Sequence, residues 1–142
     1  MPITISFEVE GEQQLKRRMK MVVYSTVNLD VPLRKIGAEM LKSVESNFDS
    51  RGKLFGAKWE PRKDKKPWPL LQKTGAMRAG FKDNYGEGYV EIYNVADYFK
   101  YHQSNKPRKK LPRRIMLKID QVRKVFIIKA FQEHLGKAVT GK

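Results

Sequence analysis

Residues 50–70 divide this chain in two. The stretch holds Gly52, Gly56, Pro61, Pro67 and Pro69 with seven basic residues, and no apolar period of a helix or a strand runs through it. Proline removes a backbone donor and fixes φ, while glycine frees it, so neither a long helix nor a central strand passes through such a segment. A loop of this length inside a compact domain is uncommon and is generally functional or mobile. Trp59 and Trp68 lie within it and argue against a structureless tract; each either tucks back onto the domain or waits for a partner.

The regular elements must therefore lie on either side. Ile3, Ile5, Phe7 and Val9 alternate with polar residues, the period of a half-buried strand, and Gly11 ends it. From Glu12 to about Thr26, Leu15, Met19, Val22 and Val23 recur at helical spacing, with Lys16, Arg17 and Lys20 on the other face. Asp30 is expected to cap a second helix, with Pro32 in its first turn and Leu33, Ile36, Met40, Val44 and Phe48 along one side to about Asp49. A connection this short predicts that the two helices are antiparallel neighbours. Beyond the loop, Met77 to Asn94 reads as strands, with Gly86-Glu87-Gly88 turning a β-hairpin. Ala96 to Gln103 is a short helical or extended segment, and Ser104 to Arg114 is a second exposed loop holding Pro107 and Pro112. Asp120 caps a last helix in which Val122, Val125, Ile128, Phe131 and Leu135 face the core and which Gly136 stops. The expected fold is α+β: a small antiparallel sheet packed with two N-terminal helices and a C-terminal helix, with long basic loops. Residues 1–142 form one domain from which loops 50–70 and 104–114 project.

At 142 residues such a domain buries roughly two-thirds of its unfolded surface. It has no cysteine, which excludes disulfides and cysteine-ligated metals. Its apolar runs are too short to span a bilayer and its N-terminus lacks the pattern of a signal peptide, so a protein made in the cytoplasm is expected, without membrane contact. The net charge of +15 is unevenly placed: residues 50–118 carry 18 basic and six acidic side chains, a net +12. That field favours a polyanionic partner, whether nucleic acid or an acidic protein surface.

Catalysis is hard to build from these residues. His102 and His134 belong to no metal-binding spacing, and Gly52-x-x-x-Gly56-x-Lys58 is one residue short of a phosphate loop, with Trp59 in place of its Ser or Thr. The pairs Glu8/Glu10 and Glu87/Glu91 alternate on strands, where nothing makes them converge on metals. No catalytic, metal-binding or cofactor-binding residue is assigned. The strongest binding signal is Lys106-Pro107-Arg108-Lys109-Lys110-Leu111-Pro112-Arg113-Arg114, six cations in nine residues. Six phosphate contacts would give a log–log salt slope of roughly −5. No recognition helix or zinc finger supports base-specific reading, and a protein partner is weighted above nucleic acid.

Four motifs follow one another in the second half: Gly52-x-x-x-Gly56-x-x-Trp59-x-Pro61; Leu71-Gln72-Lys73-Thr74-Gly75-x-Met77-Arg78; Tyr98-x-x-x-His102-Gln103; and Leu111-Pro112-Arg113-Arg114-x-x-Leu117. In this order they resemble the phage virion morphogenesis family, the tail-completion proteins of Mu-like and related tailed phages, over roughly residues 30–135. Four positions depart from the family pattern. Asn105 stands near its usual Gly, Phe99 at its usual Ala, and Ile115-Met116 at its Pro-Phe.

The resemblance implies a structural role at the head–tail junction, in the tail or neck of the virion. The subunit would assemble as a homo-oligomeric ring, a hexamer being one option, with the tail tube and neck or connector proteins as partners. The alternative is a basic module in non-specific contact with phage DNA. A ring needs a heterologous interface. Its candidate residues are Trp59, Arg62, Lys63, Lys65, Lys66 and Trp68 in one loop, and Arg108, Lys109, Lys110, Arg113 and Arg114 in the other, projecting from opposite ends of the sheet. Gly52, Gly56, Pro61, Gln72, Gly75, Arg78, Tyr98, His102, Gln103 and Pro112 are the motif residues expected to hold loop shape.

Overall fold

A computed structural model describes residues 12–104 and 111–140. The strand expected over Ile3–Val9 lies outside these residues, as do Arg108, Lys109 and Lys110. The described chain runs α1 (Glu12–Val27), α2 (Asp30–Asp49), a 3₁₀ turn (Lys53–Phe55), α3 (Ala76–Ala79), β1 (Phe81–Gly86), β2 (Tyr89–Asn94), α4 (Phe99–Gln103) and α5 (Gln121–Thr140). The expected α+β class holds, with α2 lying across the hairpin and α5 packed along α2.

Helix α2 organises the domain because its apolar stripe is complete. Leu33, Ile36, Met40, Val44 and Phe48 recur every three or four residues, and all are buried. Its C-terminal half meets Trp59, Met77, Phe81 and Met116 in one cluster; its N-terminal half meets Ala130 of α5 in a second. Ile92 and Leu117 touch both clusters and join them. Within the first, the rings of Phe48 and Trp59 meet edge to face at 5.0 Å, and those of Phe81 and Phe99 at 5.3 Å. Edge-to-face pairs of this kind contribute beyond the area they bury.

The hairpin forms as expected, with Phe81 opposite Asn94 and Gly86 opposite Tyr89 around the Glu87-Gly88 turn. Val90, Ile92 and Asn94 face inward and Tyr89, Glu91 and Tyr93 face outward, the alternation that fixes register.

Several local expectations are corrected. Leu29, not Asp30, occupies the cap position of α2; Asp30 is the first helical residue, its N–H donates to Asn28 Oδ1, and its carboxylate pairs with Arg34. Helix α1 packs along α5 rather than beside α2. Leu15, Met19 and Val23 of its apolar stripe are more than half exposed. Met77 belongs to the short helix α3 rather than to a strand.

In α5 the buried positions are Arg123, Ala130 and Ala138, with Phe126 and Ile127 partly covered, while Val122, Val125 and Ile128 are exposed. The inward face is rotated because Arg123 belongs inside. Its guanidinium pairs with Asp120 at 2.8 Å, donates to Ser43 Oγ and lies 5.3 Å from the Phe55 ring. Asp120 does cap the helix, accepting from Arg123 N–H at 3.0 Å. Gly136 does not stop α5, which continues to Thr140. A helix already held on one side carries a glycine for about 1 kcal/mol.

Loop 50–70 does not project at its start. Gly52 and Gly56 both sit at φ 92°, turning the chain so that Trp59 returns to the core at 3% exposure. Only at Gly52 is the space also closed: a Cβ there would lie 2.4 Å from the Trp59 ring and 2.5 Å from the Ala57 carbonyl, whereas at Gly56 nothing lies within 4 Å. Gly56→Ala should therefore cost only the left-handed conformation, about 1–2 kcal/mol. Gly52→Ala should cost clearly more and displace Trp59. Urea midpoints and Trp fluorescence of the two variants check this, and equal losses would refute it.

Candidate functional site

The four motifs converge on the end of α2. Asn47, with no exposed surface, donates from Nδ2 to the Ile115 carbonyl at 3.0 Å and accepts from Phe55 N–H at Oδ1. Trp59 Nε1 donates to the same carbonyl at 2.9 Å. Arg114 donates through Nε and Nη2 to the Glu60 carbonyl at 3.1 and 3.0 Å, and its own N–H is accepted by the His102 carbonyl. The loops around 60 and 114 are thus stitched side by side. They do not leave opposite ends of the sheet, because short hydrogen bonds to main-chain carbonyls require the strands of loop to be adjacent.

Gln103 completes the stitching. Its Nε2 donates to the Leu117 carbonyl at 2.6 Å, and its Oε1 accepts from Met116 N–H at 2.9 Å and Leu117 N–H at 3.3 Å. One side-chain amide thereby does for residues 116–117 what a neighbouring strand would do. The second motif closes on α2. Arg78 bridges Glu45 and Asp49 at 2.7 and 2.8 Å and donates to Gln72 Oε1. The bonds it donates to Glu45 and then to Asp49 hold the Arg78 pKa above its ordinary value. Gly75, at φ 74°, turns the chain into α3, and Thr74 Oγ1 accepts from Ala76 N–H.

Of the interface candidates, Trp59 and Arg114 are built into the fold itself, at 3% and 6% exposure. Burial lowers the Arg114 pKa from its usual value, Glu60 opposing and Arg62 reinforcing that shift. Lys63, Lys65, Lys66 and Arg113 are exposed, and Arg62 and Trp68 are half-buried. Around the Trp68 ring stand Arg62 at 5.3 Å, Lys73 at 5.4 Å and Lys66 at 5.8 Å. Trp68 forms one wall of a groove of about 460 Å³ that also takes in Leu71, Met77, Tyr98 and His102. Pro61 and Pro112 flank an adjoining groove. His134, by contrast, lies at the α1–α2 joint, with Nε2 3.0 Å from the Asn28 carbonyl. Among the described residues no three His, Asp or Glu side chains gather as metal ligands.

Sequence reasoning missed Asn47, Arg123 and Lys73. The first two are polar residues adjoining apolar helical stripes, which is the signal of a buried group with fixed partners. Lys73 carries no local signal, since its contact with Trp68 arises only when the loop folds.

The four motifs thus shape the loops of a small α+β fold. The chain belongs to the phage virion morphogenesis family, which matches residues 11–136. Its role is accordingly a structural, morphogenetic one, associated with the virion. No curated protein and no solved structure gives a match. Among the described residues no helix is long and apolar enough to cross a membrane.

Gln103→Ala should strip protection from the Met116 and Leu117 amides in hydrogen exchange while β1–β2 stays protected. The cost is about 1–3 kcal/mol for each buried group left unpaired. Protection unchanged at both amides would show that Gln103 does not hold the segment.

Proposed function

We propose that this protein completes the phage tail at the head–tail junction, acting as a ring of identical subunits that binds tail-tube and neck proteins through its basic loops. The observation that carries the reading is the hydrogen bonding of basic loop 50–70 to Arg114 and Ile115, which gives the exposed cations of that loop a fixed surface, in a chain of the virion morphogenesis family. The hydrogen bonds that fix this surface hold it in shape before any partner arrives, which lowers the ordering cost of binding. The exposed apolar side chains of α1 and α5, at Leu15, Met19, Val122 and Ile128, support association between copies. Rings of identical copies join unlike patches, and a basic loop surface and an apolar helical surface on one chain are unlike patches.

The reading treats the chain as a binding protein without an active site. Its competitor, a DNA-binding module, draws on the same charge. Free subunit titrated with duplex DNA at increasing salt separates the two: submicromolar binding with a steep salt dependence favours the competitor.

Replacing Lys63, Lys65 and Arg113 together by Glu should leave the circular dichroism spectrum unchanged and yield heads and tails that fail to join. Electron microscopy of lysates and plaque titre read this directly. Infectious particles at parental yield would reject the proposal. The same outcome is expected of Arg108→Glu, Lys109→Glu and Lys110→Glu in combination.

A further inference from the structure

We propose that the groove walled by Trp68 docks an acidic segment of a partner polypeptide, whose apolar side chain seats between Trp68, Leu70 and Met77. The inference rests on the assembly reading above and specifies the chemistry of the partner.

The groove combines an apolar interior with a cationic rim. Leu70, Leu71 and Met77 line it, Met77 being a core residue, while the lining side chains among the described residues include Arg62, Lys73 and Arg114 and no carboxylate. A volume of about 460 Å³ accommodates one or two apolar side chains rather than a folded surface.

Two further features call for an anion. Arg114 is 6% exposed and has no carboxylate within ion-pairing distance among the described residues; the described acceptor of its guanidinium is the Glu60 carbonyl. A desolvated guanidinium with only carbonyl partners gains from an approaching negative charge. Arg62 Nη1 is buried without a hydrogen-bond acceptor among the described residues, and the carboxylate beside this side chain, Asp64, lies 3.5 Å from Nε and is itself more than half exposed. Both arginines line the groove.

The arrangement favours a peptide over nucleic acid. Arg62, Lys66 and Lys73 converge on a single ring instead of forming a track at phosphate spacing. A base stacking on Trp68 would have to displace cations from that ring, whereas carboxylates would pair with them in place. The wall made by Leu70, Leu71 and Met77 recognises an apolar side chain and offers nothing to a sugar–phosphate chain.

The test is fluorescence anisotropy with the full-length protein and a labelled acidic peptide bearing a central Leu-Phe pair. Its lysine-substituted counterpart and oligothymidylate serve as comparisons. The acidic peptide should bind best. Lys73→Glu and Trp68→Ala should each weaken it by about tenfold or more, while Lys20→Glu, on α1 and outside the groove, should leave it nearly unchanged. Lys73 is exposed, so Lys73→Glu tests the site without disturbing the core, and circular dichroism reports the fold of both variants.

Absence of peptide binding, tighter binding of oligothymidylate, or an equal loss in Lys20→Glu would each overturn the proposal. Because the assembly test uses Lys63, Lys65 and Arg113, the readings fail separately. A Lys73→Glu protein that loses the peptide but joins heads to tails normally overturns the groove's assignment and leaves the assembly reading standing.

Discussion

The carbonyl oxygen of Ile115 accepts hydrogen bonds from two buried side chains, Asn47 at the end of α2 and Trp59 on the returning loop, and the rest of the domain depends on that junction. It joins three stretches far apart in sequence: the helix, the first basic loop and the segment before α5. A buried polar group left without its partner costs more than a satisfied one gains. The junction therefore fixes where the loop crosses the segment, not merely that the two touch. Phe48 and Met116 pack directly around it, so that polar specificity and apolar burial act at one point.

From that junction the cationic surface follows. Positive charge on a flexible loop disperses, since each lysine moves away from the next. Here main-chain carbonyls take up the arginine donors, as at Arg114 with Glu60 and Arg62 with Pro69, and hold the guanidinium groups close together. Like charges so held raise the local potential and strengthen attraction to an anionic partner. The opposite arrangement appears around Arg78, where Glu45 and Asp49 neutralise the cation and its role is to tie α3 to α2.

The helices, the hairpin and the general class were legible because periodicity reports them: the stripe from Leu33 to Phe48 and the turn at Gly86-Glu87-Gly88 leave little choice. The inward face of α5 was not legible. Hydrophobicity alone turns Val122 and Val125 inward, but a partly buried ion pair between Arg123 and Asp120 rotates the helix, and the neighbours Ser43 and Phe55 make that arrangement favourable. Loop proximity was equally hidden. Nothing local to Glu60 or Arg114 states that they meet, since their bond spans fifty-four positions and runs to a main-chain carbonyl that every residue possesses. Gln103 illustrates the middle case. Its place in a motif marked it as structural, but its partners were readable only once the chain had folded.

Because the Gln103 side chain binds peptide groups of Met116 and Leu117, it is indifferent to what those residues carry as side chains. A strand in its place would have required alternating inward and outward positions over several residues, and every exchange along it would risk the register. With one amide holding the segment, the sequence there is free to change so long as volume at position 116 is kept. The course of the chain is thereby decoupled from its local spelling, which leaves this stretch open to retailoring toward new neighbours while the subunit keeps its shape.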